Sequence, residues 1–298
     1  MIRLAKPEIP SGALERIGEI IRSGMLVQGR FVAEFERKLS EYLQIPHVAA
    51  VSNGSSALLL AMAALGLKRG DSVIVPDFTF PAAANAAMNL GCDAIPVDVE
   101  EETFCIAPES LKRSIRKDTK AIVAVHQFGI PCRIDIVREI ASKNRLFLIE
   151  DAACSIGGRH SGIKSGCYGD VAIFSFHPRK IITTGEGGAA ATRDIELHEK
   201  IAALRNHGKD SGDSIAPFRA PGFNMRMGEI NAALGLAQID RLDDMIRMRK
   251  EVFEIYCKMI DGVRGVKIPA GYLIEGCAYQ SLVVVLDRDV DRGLVMDF

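Results

Sequence analysis

No stretch of this 298-residue chain approaches the run of about 20 apolar residues that a membrane helix requires; the longest candidate, residues 57–67, is bounded by Ser56 and Lys68. The start, Met1-Ile2-Arg3-Leu4-Ala5-Lys6-Pro7-Glu8, lacks the apolar stretch of a secretory signal, so the expected location is the cytoplasm. An excess of either charge is missing as well. With 37 Lys and Arg against 38 Asp and Glu, a net charge of −1 and a pI near 6.6, there is no basic footprint for nucleic acid or an anionic membrane. The seven cysteines (Cys92, Cys105, Cys132, Cys154, Cys167, Cys257 and Cys277) are odd in number, scattered and never in a C-x-x-C pair. That argues against a disulfide framework and against a zinc site. The six histidines show no H-E-x-x-H arrangement, and no metal is expected.

What is present is a 48% hydrophobic chain, long enough for a large core or for one large and one small domain. Residues 11–22 read as a helix that starts at Ser11 and stops before Gly24, with Leu14, Ile17, Ile20 and Ile21 on its apolar face. Residues 30–43 repeat the pattern through Phe31, Phe35, Leu39, Tyr42 and Leu43. Short apolar strands then alternate with helical stretches at 47–52, 72–75, 94–97, 121–125, 146–149, 171–176 and 188–191. Such alternation predicts a mostly parallel, doubly wound α/β sheet of seven strands with helices on both faces. Residues 205–226, with five glycines or prolines and no period, read as a mobile connection near the site, a candidate lid; for any one residue in it, His207 included, a plain surface connection fits equally. One helix over 227–256 then leads into a second domain, which begins at 267–269 and continues with a strand at 281–286. The expected division is 1–245 for a large domain with an N-terminal helical segment, and 246–298 for a partial small one.

Chemistry concentrates in a few segments. Lys180 follows an apolar strand and precedes a glycine-rich turn in Phe174-Ser175-Phe176-His177-Pro178-Arg179-Lys180-Ile181-Ile182-Thr183-Thr184-Gly185-Glu186-Gly187-Gly188. Desolvation at the end of a buried strand penalises an ammonium, which makes Lys180 a candidate amine nucleophile; taken alone, it would favour the plainer reading of a solvated lysine that merely ends a strand. Leu146-Phe147-Leu148-Ile149-Glu150-Asp151 is an unbroken apolar run ending in paired carboxylates. Ligands of open α/β sheets sit beyond the carboxyl ends of their strands, so Asp151 belongs at the mouth of a site, although an aspartate there also caps turns. In Val51-Ser52-Asn53-Gly54-Ser55-Ser56-Ala57-Leu58, small residues lead from a strand into an apolar helix, whose free N–H groups suit a phosphate or an ordinary N-cap.

These segments, in this order, resemble the DegT/DnrJ/EryC1/StrS family of pyridoxal-phosphate sugar aminotransferases, whose lysine motif is written SFHP-x-K-x-x-TTGEGG. The resemblance spans residues 2–286 and implies a fold-type-I enzyme with pyridoxal 5'-phosphate as cofactor, converting a keto group of a nucleotide-linked sugar to an amine with an amino-acid donor such as glutamate. It implies Lys180 as the lysine that carries the cofactor and moves the proton, and Asp151 as the carboxylate that keeps the pyridine nitrogen charged. Ser55 and Ser56 match the family's phosphate loop, with Ser55 in place of its usual threonine, and Ser175 matches a further phosphate contact. In Val73-Ile74-Val75-Pro76-Asp77-Phe78-Thr79-Phe80-Pro81, Phe80 aligns with the aromatic that stacks on the cofactor ring; a plain core position is the alternative for Phe80 and the better reading for Phe78. In Gly222-Phe223-Asn224-Met225-Arg226-Met227, Asn224 matches an asparagine that reaches the phosphate of the neighbouring subunit, which implies a homodimer.

Three departures stand out. Cys154 occupies the place where the family usually has glutamine or histidine touching the cofactor hydroxyl, and Met25 replaces a common tryptophan. The family's chains also continue beyond the position matching Phe298, so this one reads as stopping inside a helix at 290–298, with its small domain incomplete. A regulatory or catalytically impaired cofactor-binding paralogue therefore stays open beside the transaminase. A sugar dehydratase of the same family would carry histidine where this chain has Lys180.

Overall fold

All seven apolar segments become strands of one sheet in the computed structural model, which describes residues 5–209, 217–218 and 220–297. They are β1 (His47–Val51), β2 (Ser72–Pro76), β3 (Asp93–Val97), β4 (Thr119–Val125) and β5 (Phe147–Asp151), then, after a small hairpin of β6 (Arg159–His160) and β7 (Ile163–Lys164), β8 (Val171–Ser175) and β9 (Gly188–Thr192). The order is β1-β9-β8-β5-β4-β2-β3. Every neighbouring pair is parallel except those made by β9, which runs antiparallel to both β8 and β1. The cause is local. A parallel return needs a crossover element, and residues 176–187 form none, so the chain turns back directly and hangs that loop, with Lys180 in it, off the carboxyl edge of the sheet. Because β1 is antiparallel to β9, it points the same way as β8, and the helix that follows it starts at that same edge.

The helices are α1 (Gly12–Ser23), α2 (Arg30–Leu43), α3 (Gly54–Ala64), α4 (Ala82–Asn89), α5 (Pro108–Ser114), α6 (Ile134–Lys143), α7 (Ile195–Leu204), α8 (Glu229–Ile239), α9 (Leu242–Ile260) and α10 (Arg292–Asp297). Strand side chains alternate between faces. Ala49, Val51, Val73, Val123, Ile149 and Ile173 pack with α3, α4 and α7, whereas Ala50, Ala172 and Phe174 pack with α2 and α8, and Ile122 and Leu148 with α6. Both faces are thus covered, which is why the central strands read as continuous apolar runs. No helix of the described residues is long and apolar enough to cross a membrane.

Three expectations need correction. Helix α1 buries Ala13 and Ile20, but Leu14 and Ile21 are 74% and 64% exposed, and Ser11 makes no side-chain cap; the helix stops where Gly24 takes φ 69° and its N–H reaches the carbonyls of Ile20 and Ile21. The single helix expected over 227–256 is two, α8 and α9, broken at Asp240 and Arg241. No glycine or proline marks that break; Asp243 and Asp244 then sit in the first turn of α9, where the helix dipole favours them. The strand expected over 281–286 is reduced to β11 (Val285–Leu286), paired antiparallel with β10 (Val266–Lys267). In the segment 205–226, residues 210–216 and 219 lie outside the described residues. The flanks of that segment are fixed: the His207 N–H donates to Phe223 O, the Met225 N–H to Arg205 O, and buried Arg205 pairs with Glu36.

Candidate active site

The carboxyl ends of β4, β5 and β8, the start of β9 and the amino end of α3 converge by register. Gly188 lies between Val51 on one side and Ser175 on the other, and Asp151 lies between Val125 and Ile173. The approach at Gly188 is so close that a Cβ there would stand 2.5 Å from the Asn53 carbonyl carbon, so only glycine lets the start of α3 seat on the sheet. Above this floor opens a cavity of about 1490 Å³.

Asn53 is the N-cap of α3; its side chain accepts from the Ser56 N–H at 2.8 Å. The Gly54 and Ser55 N–H groups, the first two of the helix, have no acceptor among the described residues, and Asn53, Gly54, Ser55 and Ser175 all line the cavity. Ser56 is not brought there. It is buried, its N–H is spent on Asn53, and its hydroxyl meets the Ser52 hydroxyl at 2.9 Å. Two unpaired N–H groups at the positive end of a helix, with two hydroxyls beside them, suit a phosphate.

Asp151 ends β5, buried and lining the cavity. One carboxylate oxygen, Oδ1, accepts from the Ala153 N–H at 3.0 Å, so it does cap the turn; Oδ2 has no partner among the described residues. Burial pushes its carboxyl above the ordinary range, against the Ala153 N–H and the charges of Lys180 and His126, which pull it down. A carboxylate left in that state favours a ligand bringing a cation or an N–H donor.

Lys180 lies five residues past the end of β8, in the turn rather than at the strand end, and is half-buried. Its Nζ donates to Cys154 Sγ at 3.0 Å. The loop that carries it is pinned on both sides. The Thr183 N–H and carbonyl pair with the buried Gln238 amide of α8 at 3.1 and 2.6 Å, and Gln280 Nε2 donates to the Arg179 carbonyl at 2.5 Å. Cys154 itself is partly buried in the cavity wall.

Phe78 and Phe80 both line the cavity and are 50% and 71% exposed, so neither is a core aromatic. Phe78 packs its ring against Phe104 and Phe128 at 5.5 and 6.1 Å, which leaves Phe80 with a free face. Asn224 is exposed and does not line this cavity; its Oδ1 accepts from Arg226 Nε at 3.1 Å, and its backbone bridges to Asn206.

Sequence reasoning missed the support beneath Asp151. Glu150 and His126 are fully buried and joined at 2.8 Å. The His126 Nδ1 accepts from the Cys132 N–H, which leaves Nε2 as the donor to Glu150. Glu150 also accepts the N–H groups of Gly166, Tyr168 and Gly169. Burial alone would raise its carboxyl; His126 and the N–H groups outweigh that and hold it below the usual range. The signals were the second member of the paired carboxylates and a histidine directly after an apolar strand. The described residues contain no cluster of three or more His, Cys, Asp or Glu side chains fit for a metal.

A doubly wound sheet with one reversed strand, its site built from a loop lysine, a strand-end carboxylate and a helix amino end, defines the fold-type-I class of pyridoxal-phosphate enzymes. Within that class the chain belongs to the DegT/DnrJ/EryC1/StrS aminotransferase family, whose model matches residues 7–296. It is 37% identical over 271 residues to the GDP-perosamine synthase of Vibrio cholerae, covering 88% of this chain and 72% of that one. Among solved structures it is similar to the aminotransferase TlmJ from Streptoalloteichus hindustanus (TM-score 0.94, 29% identity, 99% of this chain and 81% of that one). It is similar also to NtdA from Bacillus subtilis with bound cofactor PMP (TM-score 0.88, 29% identity, 100% and 70%).

Proposed function

We propose that this aminotransferase moves an amino group from an amino-acid donor, glutamate in the first instance, to a keto carbon of a nucleotide-linked sugar. The observation that carries the reading is Lys180 held beside Cys154 over the cavity, with the partly free Asp151 carboxylate and the unpaired amino end of α3 in the same cavity. That the Vibrio cholerae relative is a GDP-perosamine synthase supports a nucleotide-linked sugar as acceptor.

Pyridoxal phosphate, when bound, supplies a ring that withdraws electrons from the carbon losing or gaining a proton. The residues fit it. Gly54, Ser55 and Ser175 would offer N–H groups and hydroxyls to its phosphate, Asp151 would hold a proton on the ring nitrogen, Phe80 would offer a ring face, and Cys154 would stand near the ring hydroxyl. Lys180 would be the attachment point and the base that takes the proton from the donor carbon and returns it to the acceptor. Its half-buried position restricts water around that proton. Exposed Asn224, outside this chain's own cavity, serves the phosphate of a second copy, which makes the working unit a homodimer.

The test is the first half of the reaction. The cofactor-loaded chain mixed with glutamate is expected to release 2-oxoglutarate in an amount matching the bound cofactor. Loaded protein that releases none with glutamate or other amino-acid donors would exclude the transaminase and favour a cofactor-binding regulatory role.

A further inference from the structure

Helix α9 presents one face to the cavity, in which Met248, Val252, Tyr256 and Ile260 recur at intervals of four residues with Arg249 among them. Arg249 is the one charged residue of that wall, and it is half-buried. Its Nη1 donates to the Gln280 carbonyl at 3.0 Å, a neutral partner. Its Nη2 and Nε have none among the described residues, and no carboxylate among them pairs with it. Burial, with no acidic neighbour opposing it, makes its charge costly. The same Gln280 holds the Arg179 carbonyl next to Lys180, so the guanidinium is fixed relative to the reacting amine through one buried residue.

We infer that Arg249 receives the diphosphate of the nucleotide-linked substrate, with the nucleoside lying along the apolar stripe of α9. A planar fork with free donors matches phosphate oxygens. The apolar wall selects among anions. From Met248 to Ile260 it runs roughly 18 Å at 1.5 Å per residue, more than an amino-acid donor can use and suited to a nucleoside beyond a diphosphate. The inference rests on the nucleotide-sugar reading above and deepens it.

The experiment measures binding of GDP, UDP and inorganic pyrophosphate to the cofactor-loaded full chain by calorimetry, beside the glutamate half-reaction, for the wild type and three variants. Arg249→Gln is expected to weaken all three ligands roughly 10- to 100-fold, and Arg249→Lys to restore part of the loss. Val252→Glu, at a position 51% exposed and one turn along α9, places a carboxylate beside the guanidinium and is expected to weaken the same ligands without touching the fold. It decides the matter if Arg249→Gln proves unstable. In every variant the fold-loss of nucleotide affinity should exceed any change in the KM of the glutamate half-reaction. Unchanged nucleotide affinity, no nucleotide binding by the wild type, or a loss confined to the KM for glutamate would each overturn the inference. A wild type that binds GDP or UDP through Arg249 yet releases no 2-oxoglutarate would instead overturn the aminotransferase reading and leave this site standing.

Discussion

Replacing Glu150 by glutamine tests whether the buried pair beneath the site holds it up. Each carboxylate oxygen accepts two donors: Oε1 takes His126 Nε2 at 2.8 Å and the Gly166 N–H at 2.6 Å, and Oε2 takes the N–H groups of Tyr168 and Gly169, both at 2.9 Å. A glutamine keeps one oxygen. Whichever way its amide is turned, an NH2 group faces two donors that cannot reverse, because the Cys132 N–H already occupies His126 Nδ1. Two buried donors left unpaired, with partial relaxation, cost about 2–4 kcal/mol, a large share of the roughly 5–15 kcal/mol that holds a domain together. Urea unfolding of the cofactor-free protein should show that loss as a lower midpoint at unchanged slope. The sign with pH follows from a carboxyl held below its usual range. Its contribution is fully present above the ordinary glutamate range and is lost as pH falls through the depressed value, so the gap between wild type and variant should narrow on acidification. A loss below about 0.5 kcal/mol, the scale of an ordinary surface change, would refute the reasoning.

Asp151→Asn should separate stability from chemistry: proton transfer from glutamate slows in single-turnover kinetics, while the cofactor-free protein gains stability, and a variant with wild-type kinetics would leave Asp151 as a turn cap only. Because burial raises the Asp151 carboxyl, ionising it costs stability; that cost is absent in acid and grows as pH rises through the raised value, so the variant's thermal advantage should widen over that interval. Asn224→Ala should weaken cofactor retention by roughly 1.5–3 kcal/mol without altering the chemistry of the retained fraction, and sedimentation of the fully loaded wild type as a monomer would contradict the shared site.

Much of this was legible in the residues because the signals were local. The seven apolar strands follow from runs that burial on two faces demands, α2 from the helical spacing of its one apolar face, and the place of Asp151 from where β5 ends; Lys180 and Ser55 were singled out by their match to the family motifs. What failed depended on contacts between distant segments. Ser56 reads like Ser55, and only the fold shows its hydroxyl turned to Ser52. Leu14 and Ile21 have helical spacing, but the stripe they continue is not covered. The break at Asp240 carries no glycine or proline, and the residues of 281–284 gain no strand partner. Thr183, Gln238 and Gln280 were invisible because their roles exist only once α8 and the segment around residue 280 close on the Lys180 loop.

The central claim is that Lys180 is the reacting amine. Treating the cofactor-loaded chain with borohydride, digesting it and sequencing the peptides by mass spectrometry should find the reduced pyridoxal group on Lys180 alone, and Lys180→Ala should show no label and no release of 2-oxoglutarate. A label on another lysine, such as Lys6, which also lines the cavity, or a Lys180→Ala protein that still converts glutamate, would contradict the account.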